Sequence, residues 1–243
     1  MNLRNLRQLA IAGGVALCTL GIASAQGSVS GTCVLDGPAP KMRKIKMAQE
    51  QSCEKHHKEP LRQEDVVIGA DGKSLANVFV YVKNAPAGAA AATGEVTIDQ
   101  IGCQYKPHVF GIRVGQTLKI LNSDNGVLHN IHAFGEPGNT FNMGQPGNGQ
   151  PLTQKFQKAQ LGVPLKCDVH GWMRSYACVV EHPYFAVTDD KGAFKIDNLP
   201  PGEYELEAWQ EVCGTQSAKV KVEAAGGAPV TFTFKAPAKE AGK

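Results

Sequence analysis

Past residue 25, the chain has no apolar run long enough to cross a bilayer, so no membrane-spanning helix is expected there. It has no Cys-x2-Cys-His motif, so covalent attachment of haem is not indicated. Its lysines and arginines do not cluster among aromatic residues, which gives nucleic-acid binding little support. Glycine and proline, by contrast, are plentiful, with 27 and 14 among 243 residues. This composition favours a turn-rich β protein.

The first 25 residues have the pattern of an export signal. Arg4 and Arg7 precede an apolar stretch over residues 9–22, and an A-x-A motif ends at Ala25. We therefore expect cleavage after Ala25 and a periplasmic or secreted protein. A lipid anchor on Cys18 is the alternative, but leucine precedes it where a small residue is needed. The leader holds two arginines and no acid, so 23 basic and 22 acidic residues remain and the mature chain is nearly neutral.

Alternation of apolar and polar residues predicts strands along most of the chain. The predicted strands cover residues 27–35, 76–83, 95–99, 109–114, 117–122, 203–209, 218–222 and 230–234. The segment 135–151 is rich in Gly, Asn and Pro and is predicted to be a long loop. A weak helix is predicted at 47–58. The expected fold class is all-β.

The densest chemical motif is KCDVHGWM, in which Cys167, His170 and Met173 have Cys-x2-His-x2-Met spacing. A thiolate, an imidazole and a thioether together favour copper, and a blue-copper site uses two His, one Cys and a weak axial Met. One histidine is therefore missing from this loop. Zinc is the main alternative metal, although it gains little from a thioether. A buried thiol with no metal is the alternative for Cys167.

The missing histidine is expected upstream, where a strand and a turn lead into His-Asn-Ile-His at residues 129–132. Residues three apart on a strand face opposite sides of the sheet. Only one of His129 and His132 is therefore expected to be a ligand. Met143 competes with Met173 for the axial position but is less well placed.

These motifs together resemble the cupredoxins, most closely amicyanin and its relatives with short ligand loops. The resemblance rests on Asn-x-Asp at a strand end, then Leu-His-Asn-Ile-His-Ala-Phe, then Cys-x2-His-x2-Met about 40 residues later. It implies one type 1 copper bound by His129, Cys167, His170 and, axially, Met173. It also implies that Asn130 ties the two ligand-bearing segments together.

Residues 185–234 resemble a second family, the carboxypeptidase regulatory-like domains. The resemblance rests on Thr-Asp-Asp-Lys-Gly-Ala-Phe at 188–194 and Leu-Pro-Pro-Gly-Glu-Tyr at 199–204. The strands that open such domains are found far upstream, at 27–34 and 77–82. We therefore expect this domain to be split into residues 26–93 and 184–236, with a cupredoxin domain at 94–183 inserted and a flexible tail at 237–243.

The expected architecture is a Greek-key cupredoxin β-sandwich plus a smaller Ig-like or transthyretin-like sandwich. Two consecutive domains are the alternative, with residues 26–93 belonging to the cupredoxin.

Six cysteines remain after removal of the leader, and an exported protein can form disulfides. Cys53 with Cys103 and Cys33 with Cys213 are candidate pairs, but the sequence does not fix the connectivity, and Cys178 has no assigned partner. Near Cys53, the histidines at 56 and 57 form either a secondary metal site or, more commonly, a solvated loop.

The resemblance implies a carrier of single electrons between redox partners and not an enzyme, because the ligand set leaves no open position for a substrate. It implies that His170 lies nearest the surface, beside an apolar docking patch that includes Gly171 and Trp172. Gly171 departs from the proline common in such loops, which predicts a less rigid loop. The expected partner is transient, such as a c-type cytochrome or a periplasmic oxidoreductase. A copper-delivery protein and a structural β module are the alternatives.

Overall fold

The computed structural model describes residues 26–47 and 50–237, and it is built almost entirely of strands. The expected export signal and most of the expected tail lie outside these residues. The strands are β1 Gly27–Asp36, β2 Phe79–Val82, β3 Glu95–Gln100, β4 Tyr105–Lys106, β5 Val109–Arg113, β6 Thr117–Asn122, β7 His129–Phe134, β8 Thr140–Gln145, β9 Leu152–Gln154, β10 Gln160–Lys166, β11 Arg174–Val180, β12 Phe185–Val187, β13 Ala193–Leu199, β14 Gly202–Gln210, β15 Gly214–Glu223, β16 Gly226–Gly227 and β17 Val230–Lys235.

The all-β prediction is confirmed, but two local predictions were wrong. The helix expected at 47–58 is reduced to a single turn, α1 (Gln51–Glu54). The segment 135–151, expected to be a loop, contains β8, whose polar and exposed residues concealed the alternation of a strand. Among the described residues, no helix has the length and apolar character needed to cross a membrane.

The central part of the chain forms two sheets made of strands from that part. β3 to β11 make a four-stranded sheet, in the order β4-β3-β6-β9, and a five-stranded sheet, in the order β5-β11-β10-β7-β8. A large apolar core that includes Ile98, Ile120, Ile131 and Leu165 lies within this part. Side chains of both sheets contribute to it, as in a β-sandwich.

The strands on either side of this part form the other two sheets. β1 pairs with β13 and β17, while β2 pairs with β12 and β14, so residues before 93 and after 184 share sheets. Their core includes Val29, Val80, Leu206 and Phe234. The exact domain boundaries stay a prediction.

A third, smaller apolar cluster joins the two parts of the molecule. It contains Phe79 of β2 with Val109, Cys178 and Val180 of β5 and β11. Because strand residues alternate in direction, β11 can contribute Ala177 and Val179 to the large core and Cys178 and Val180 to this cluster.

Two further contacts between these parts need particular residue types. A Cβ at Gly111 would lie 2.3 Å from a ring carbon of Phe185 and 2.7 Å from one of Phe79, so only glycine permits this approach.

Nearby, the buried His108 imidazole is hydrogen-bonded to Glu211 and lies 3.8 Å from Glu64. Burial pushes the pKa of His108 down, but the hydrogen bond and charge of Glu211, together with the charge of Glu64, outweigh it and raise that pKa.

Candidate metal centre

Three of the predicted ligands meet at one end of the large core. His129 is the first residue of β7, Cys167 directly follows β10, and His170 lies in the loop before β11. β10 runs antiparallel to β7 with Lys166 opposite His132, which brings the thiol beside the start of β7. The three side chains are nearly inaccessible, with His129 0%, His170 2% and Cys167 3% exposed.

The donor atoms of these residues converge. The Nδ1 atoms of His129 and His170 lie 2.9 Å apart, and Cys167 Sγ lies 3.8 Å from His170 Nδ1. The three candidate ligand atoms all lie within 4.8 Å of one another. Two imidazole nitrogens and a thiol sulfur facing one enclosed point form the donor set that suits copper. The residues present therefore fit the metal that the sequence predicted.

The surroundings of Cys167 favour its thiolate. Burial alone would raise the pKa of the thiol, but the neighbouring imidazoles of His129 and His170, together with the backbone N–H groups of Asn130 and His170, lower it to about 6. The thiolate is the form that binds metals. The buried donor cluster therefore favours the form of Cys167 that a metal needs.

Asn130 connects the two ligand-bearing segments in the structure. Its Oδ1 accepts the backbone N–H of Asp168 at 2.7 Å and lies 3.3 Å from Cys167 Sγ. Its Nδ2 donates to Asp168 Oδ2 at 2.9 Å. These contacts hold the residue after the thiol against β7.

The alternation of β7 separates the two candidate histidines. His129 points into the core, whereas His132 is part-exposed and its Nδ1 lies 3.1 Å from Asp168 Oδ1. His132 is therefore outside the donor cluster. Of the two histidines that the spacing left as alternative ligands, His129 is the one in the donor cluster.

Met173 is buried and closes the ligand loop through its backbone. Its N–H donates to His170 O at 2.9 Å, and its carbonyl accepts from Cys167 N at 3.3 Å. Its side chain belongs to the same apolar core as Cys167. Met143 lies instead in β8, with its sulfur 3.9 Å from Gln154 Nε2. The axial role of Met173 stays a prediction.

The expectation that His170 lies nearest the surface was wrong. Its imidazole is covered, and its Nε2 lies 3.9 Å from Oε2 of Glu50. Glu50 opens a short stretch, residues 50–57, which we call the covering segment. The segment contains α1 and is anchored to the metal-binding part by a disulfide between Cys53 and Cys103. The covering segment, which lies more than 100 residues before His170 in the chain, thus contacts the donor cluster through Glu50.

The cysteine predictions had mixed outcomes. The pair of Cys53 with Cys103 is confirmed. The pair of Cys33 with Cys213 was wrong, because both are free thiols, as is the buried Cys178. Cys33 lies inside the core of the outer sheets, where burial raises the pKa of its thiol to about 12.

Asp124 is the residue that sequence reasoning missed. It is 1% exposed, and its Oδ2 accepts a hydrogen bond from His129 Nε2 at 2.8 Å. Burial opposes ionisation, but donors from His129, Cys103 and Gly102 outweigh it and lower the pKa of this carboxyl. The Asn-x-Asp at the end of β6 was the available signal, but nothing in it specifies which way the carboxylate points.

Among the described residues, the histidines near Cys53 belong to neither group of converging candidate ligands. His57 Nε2 lies 2.7 Å from the carbonyl of Gly102, and His56 Nε2 lies 3.9 Å from Asp124 Oδ1. Cys103, Asp124 and His129 also have ligand atoms close together. The sulfur of Cys103 is bonded to Cys53, however, so it supplies no thiolate there.

Comparison with known proteins gives partial matches. The family model described as polysaccharide lyase family 4, domain II, matches residues 156–229, which is less than half of the chain. The resemblance to carboxypeptidase regulatory-like domains stays a prediction. No curated protein matches the chain.

Solved structures similar to part of the chain include copper proteins. A Cu-containing nitrite reductase from Thermus scotoductus SA-01 is 23% identical over 40% of this chain, with a TM-score of 0.34. The chain spans only 25% of that reductase. A purple cupredoxin from Nitrosopumilus maritimus is 23% identical, with a TM-score of 0.29, over 34% of this chain and 97% of its own. A mutant amicyanin in the Cu(I) state is 18% identical, with a TM-score of 0.31, over 41% of this chain and 97% of its own. At such low scores these likenesses carry no functional conclusion.

Proposed function

We propose that this protein is an exported carrier of single electrons, with one copper bound by His129, Cys167 and His170 and weakly by Met173. The convergence of a low-pKa thiol with two imidazole nitrogens, all on buried side chains, carries the proposal. When bound, the copper would supply one-electron exchange between its Cu(I) and Cu(II) states. The other features of the proposed site are contributed by the protein's own residues.

The protein holds the donor atoms in a preformed arrangement. Asn130 fixes the residue after the thiol, and the backbone of Met173 closes the loop that bears Cys167 and His170. A site with fixed ligands has little to rearrange when the charge of the metal changes. This rigidity supports electron transfer over catalysis, and the enclosed pocket offers a substrate no obvious approach.

The disulfide supports an oxidising compartment, such as the periplasm or the exterior. We propose that a transient redox partner, of the c-type cytochrome or periplasmic oxidoreductase class, docks near Leu128 and Val169. These side chains are 55% and 50% exposed, and each adjoins a candidate ligand in sequence. Weak redox encounters need little buried surface.

We also propose that residues 94–183 form a domain inserted into a second sandwich of residues 26–93 and 184–236.

Copper delivery is the second candidate function, because a Cys/His site also suits a protein that passes its metal on. The burial of His170, which is 2% exposed, favours retention of the metal. A reversible redox titration of copper-loaded residues 26–243, in the presence of a Cu(I) chelator, separates the two. We expect a reversible one-electron couple with the metal retained through repeated cycles. Rapid transfer of Cu(I) to the chelator, faster than its reoxidation, would favour delivery.

A further inference from the structure

A buried carboxylate lies behind one of the candidate ligands, on the side away from the metal pocket. Asp124 accepts from Nε2 of His129, while Nδ1 of the same ring faces His170 at 2.9 Å. The two nitrogens of His129 therefore have separate partners. One faces a carboxylate and the other faces the point where the donors converge.

The carboxylate is held in place by groups other than His129. Its two oxygens accept the backbone N–H groups of Gly102 and Cys103, and its own N–H donates to Asn122 Oδ1 at 3.1 Å. Because Cys103 is bonded to Cys53, this framework extends into the covering segment. Asp124 is thus preoriented, and the ring of His129 adapts to it.

We propose that Asp124 is a positioning residue that keeps His129 in its Nε2–H tautomer and adds negative charge behind the metal site. This inference rests on the proposed copper site and deepens it. A carboxylate cannot donate, so a neutral His129 facing it must carry its proton on Nε2. The Nδ1 lone pair is then left for the metal. A carboxylate at the far nitrogen also makes an imidazole a more basic ligand.

The negative charge of Asp124 affects copper binding in a way that positioning of His129 alone would not. A fixed negative charge stabilises Cu(II) more than Cu(I), because the oxidised metal carries the greater positive charge. Removing it therefore weakens binding of Cu(II) more than binding of Cu(I). We expect Asp124→Asn to raise the Cu(II) dissociation constant about 10- to 100-fold, the usual effect of losing such a partner, and the Cu(I) constant less.

The test compares Asp124→Asn and Asp124→Ala with Asp99→Asn, using competition with chelators selective for each oxidation state. Asp99 is a matched control because its carboxylate accepts from Ser123, one residue before Asp124, and touches no candidate ligand. A larger loss for Cu(II) than for Cu(I) in both Asp124 variants, with Asp99→Asn unchanged, is the expected result. Equal losses for both states would assign Asp124 a purely structural role and overturn the proposal.

A measurement on the metal-free native protein separates this inference from the proposed function. Long-range ¹H–¹⁵N NMR of His129, recorded at a pH high enough to keep the ring neutral because Asp124 and Cys167 raise its pKa, is expected to show a proton on Nε2 and none on Nδ1. A proton on Nδ1 alone would overturn the positioning role, whether or not copper binds and whether or not the variants fold. The expected tautomer with no copper binding would instead refute the proposed function alone.

Discussion

Removing the disulfide tests how the covering segment closes the site. Cys53 and Cys103 are both fully buried and lie 50 residues apart in the chain. In the chain-entropy relation, a cross-link of this separation contributes about 4 kcal/mol, because it restricts the unfolded chain. The unfolding free energy of the double variant Cys53→Ala with Cys103→Ala should be lower than that of the native protein by up to that amount.

The variant should also release its metal faster. Without the cross-link, only noncovalent contacts such as that of Glu50 hold the covering segment near His170. We expect faster transfer of Cu(I) to a chelator than from the native protein. Urea unfolding of the metal-free protein gives the stability, and the absorbance of the chelator complex gives the rate.

Cys213→Ser is the matched control, because that thiol is unpaired and lies outside the disulfide. It should leave both the unfolding free energy and the release rate close to the native values. A double variant within about 1 kcal/mol of the native protein would contradict the entropic account. An unchanged release rate would show that the covering segment does not limit access to the metal.

Three further predictions concern the packing and the ligands. The pKa of His108 is raised in the folded protein above its ordinary 6.5, so the stability that this histidine contributes is complete below pH 6.5 and is lost as the pH rises through the folded pKa. His108→Gln should flatten that part of the curve of unfolding free energy against pH. An unchanged slope would contradict this. Gly111→Ala should lower the unfolding free energy by about 1–3 kcal/mol, because the new methyl group meets the ring of Phe185. Gly144→Ala is the control, because it has open space around it, and it should lower the unfolding free energy much less in the same thermal melts. Met173→Leu should raise the reduction potential of the copper form by removing the weak axial ligand, and an identical potential in voltammetry would remove this residue from the ligand set.

The local features of the site could be predicted from the sequence because they depend on short-range spacing. The Cys-x2-His-x2-Met loop lies between two paired strands, so its spacing alone brings Cys167 and His170 together. Strand alternation likewise predicts that only one of His129 and His132 faces inward. The all-β class followed from the same period-2 pattern.

The features that were missed depend on contacts between distant segments. The contact of His170 with Glu50 joins two distant segments, and no pattern within either segment specifies it. The contact of Asp124 with the backbone of Cys103 likewise joins segments that are separate in the sequence. The strand β8 was missed for a different reason, because its exposed polar residues resemble those of a loop.

The most direct test of the copper site is the optical and EPR spectrum of residues 26–243, prepared without metal and titrated with Cu(II). The account predicts one copper per chain, an intense blue charge-transfer band and narrow parallel hyperfine splitting, all lost in Cys167→Ser. A colourless complex, or ordinary tetragonal Cu(II) signals that survive this substitution, would contradict it.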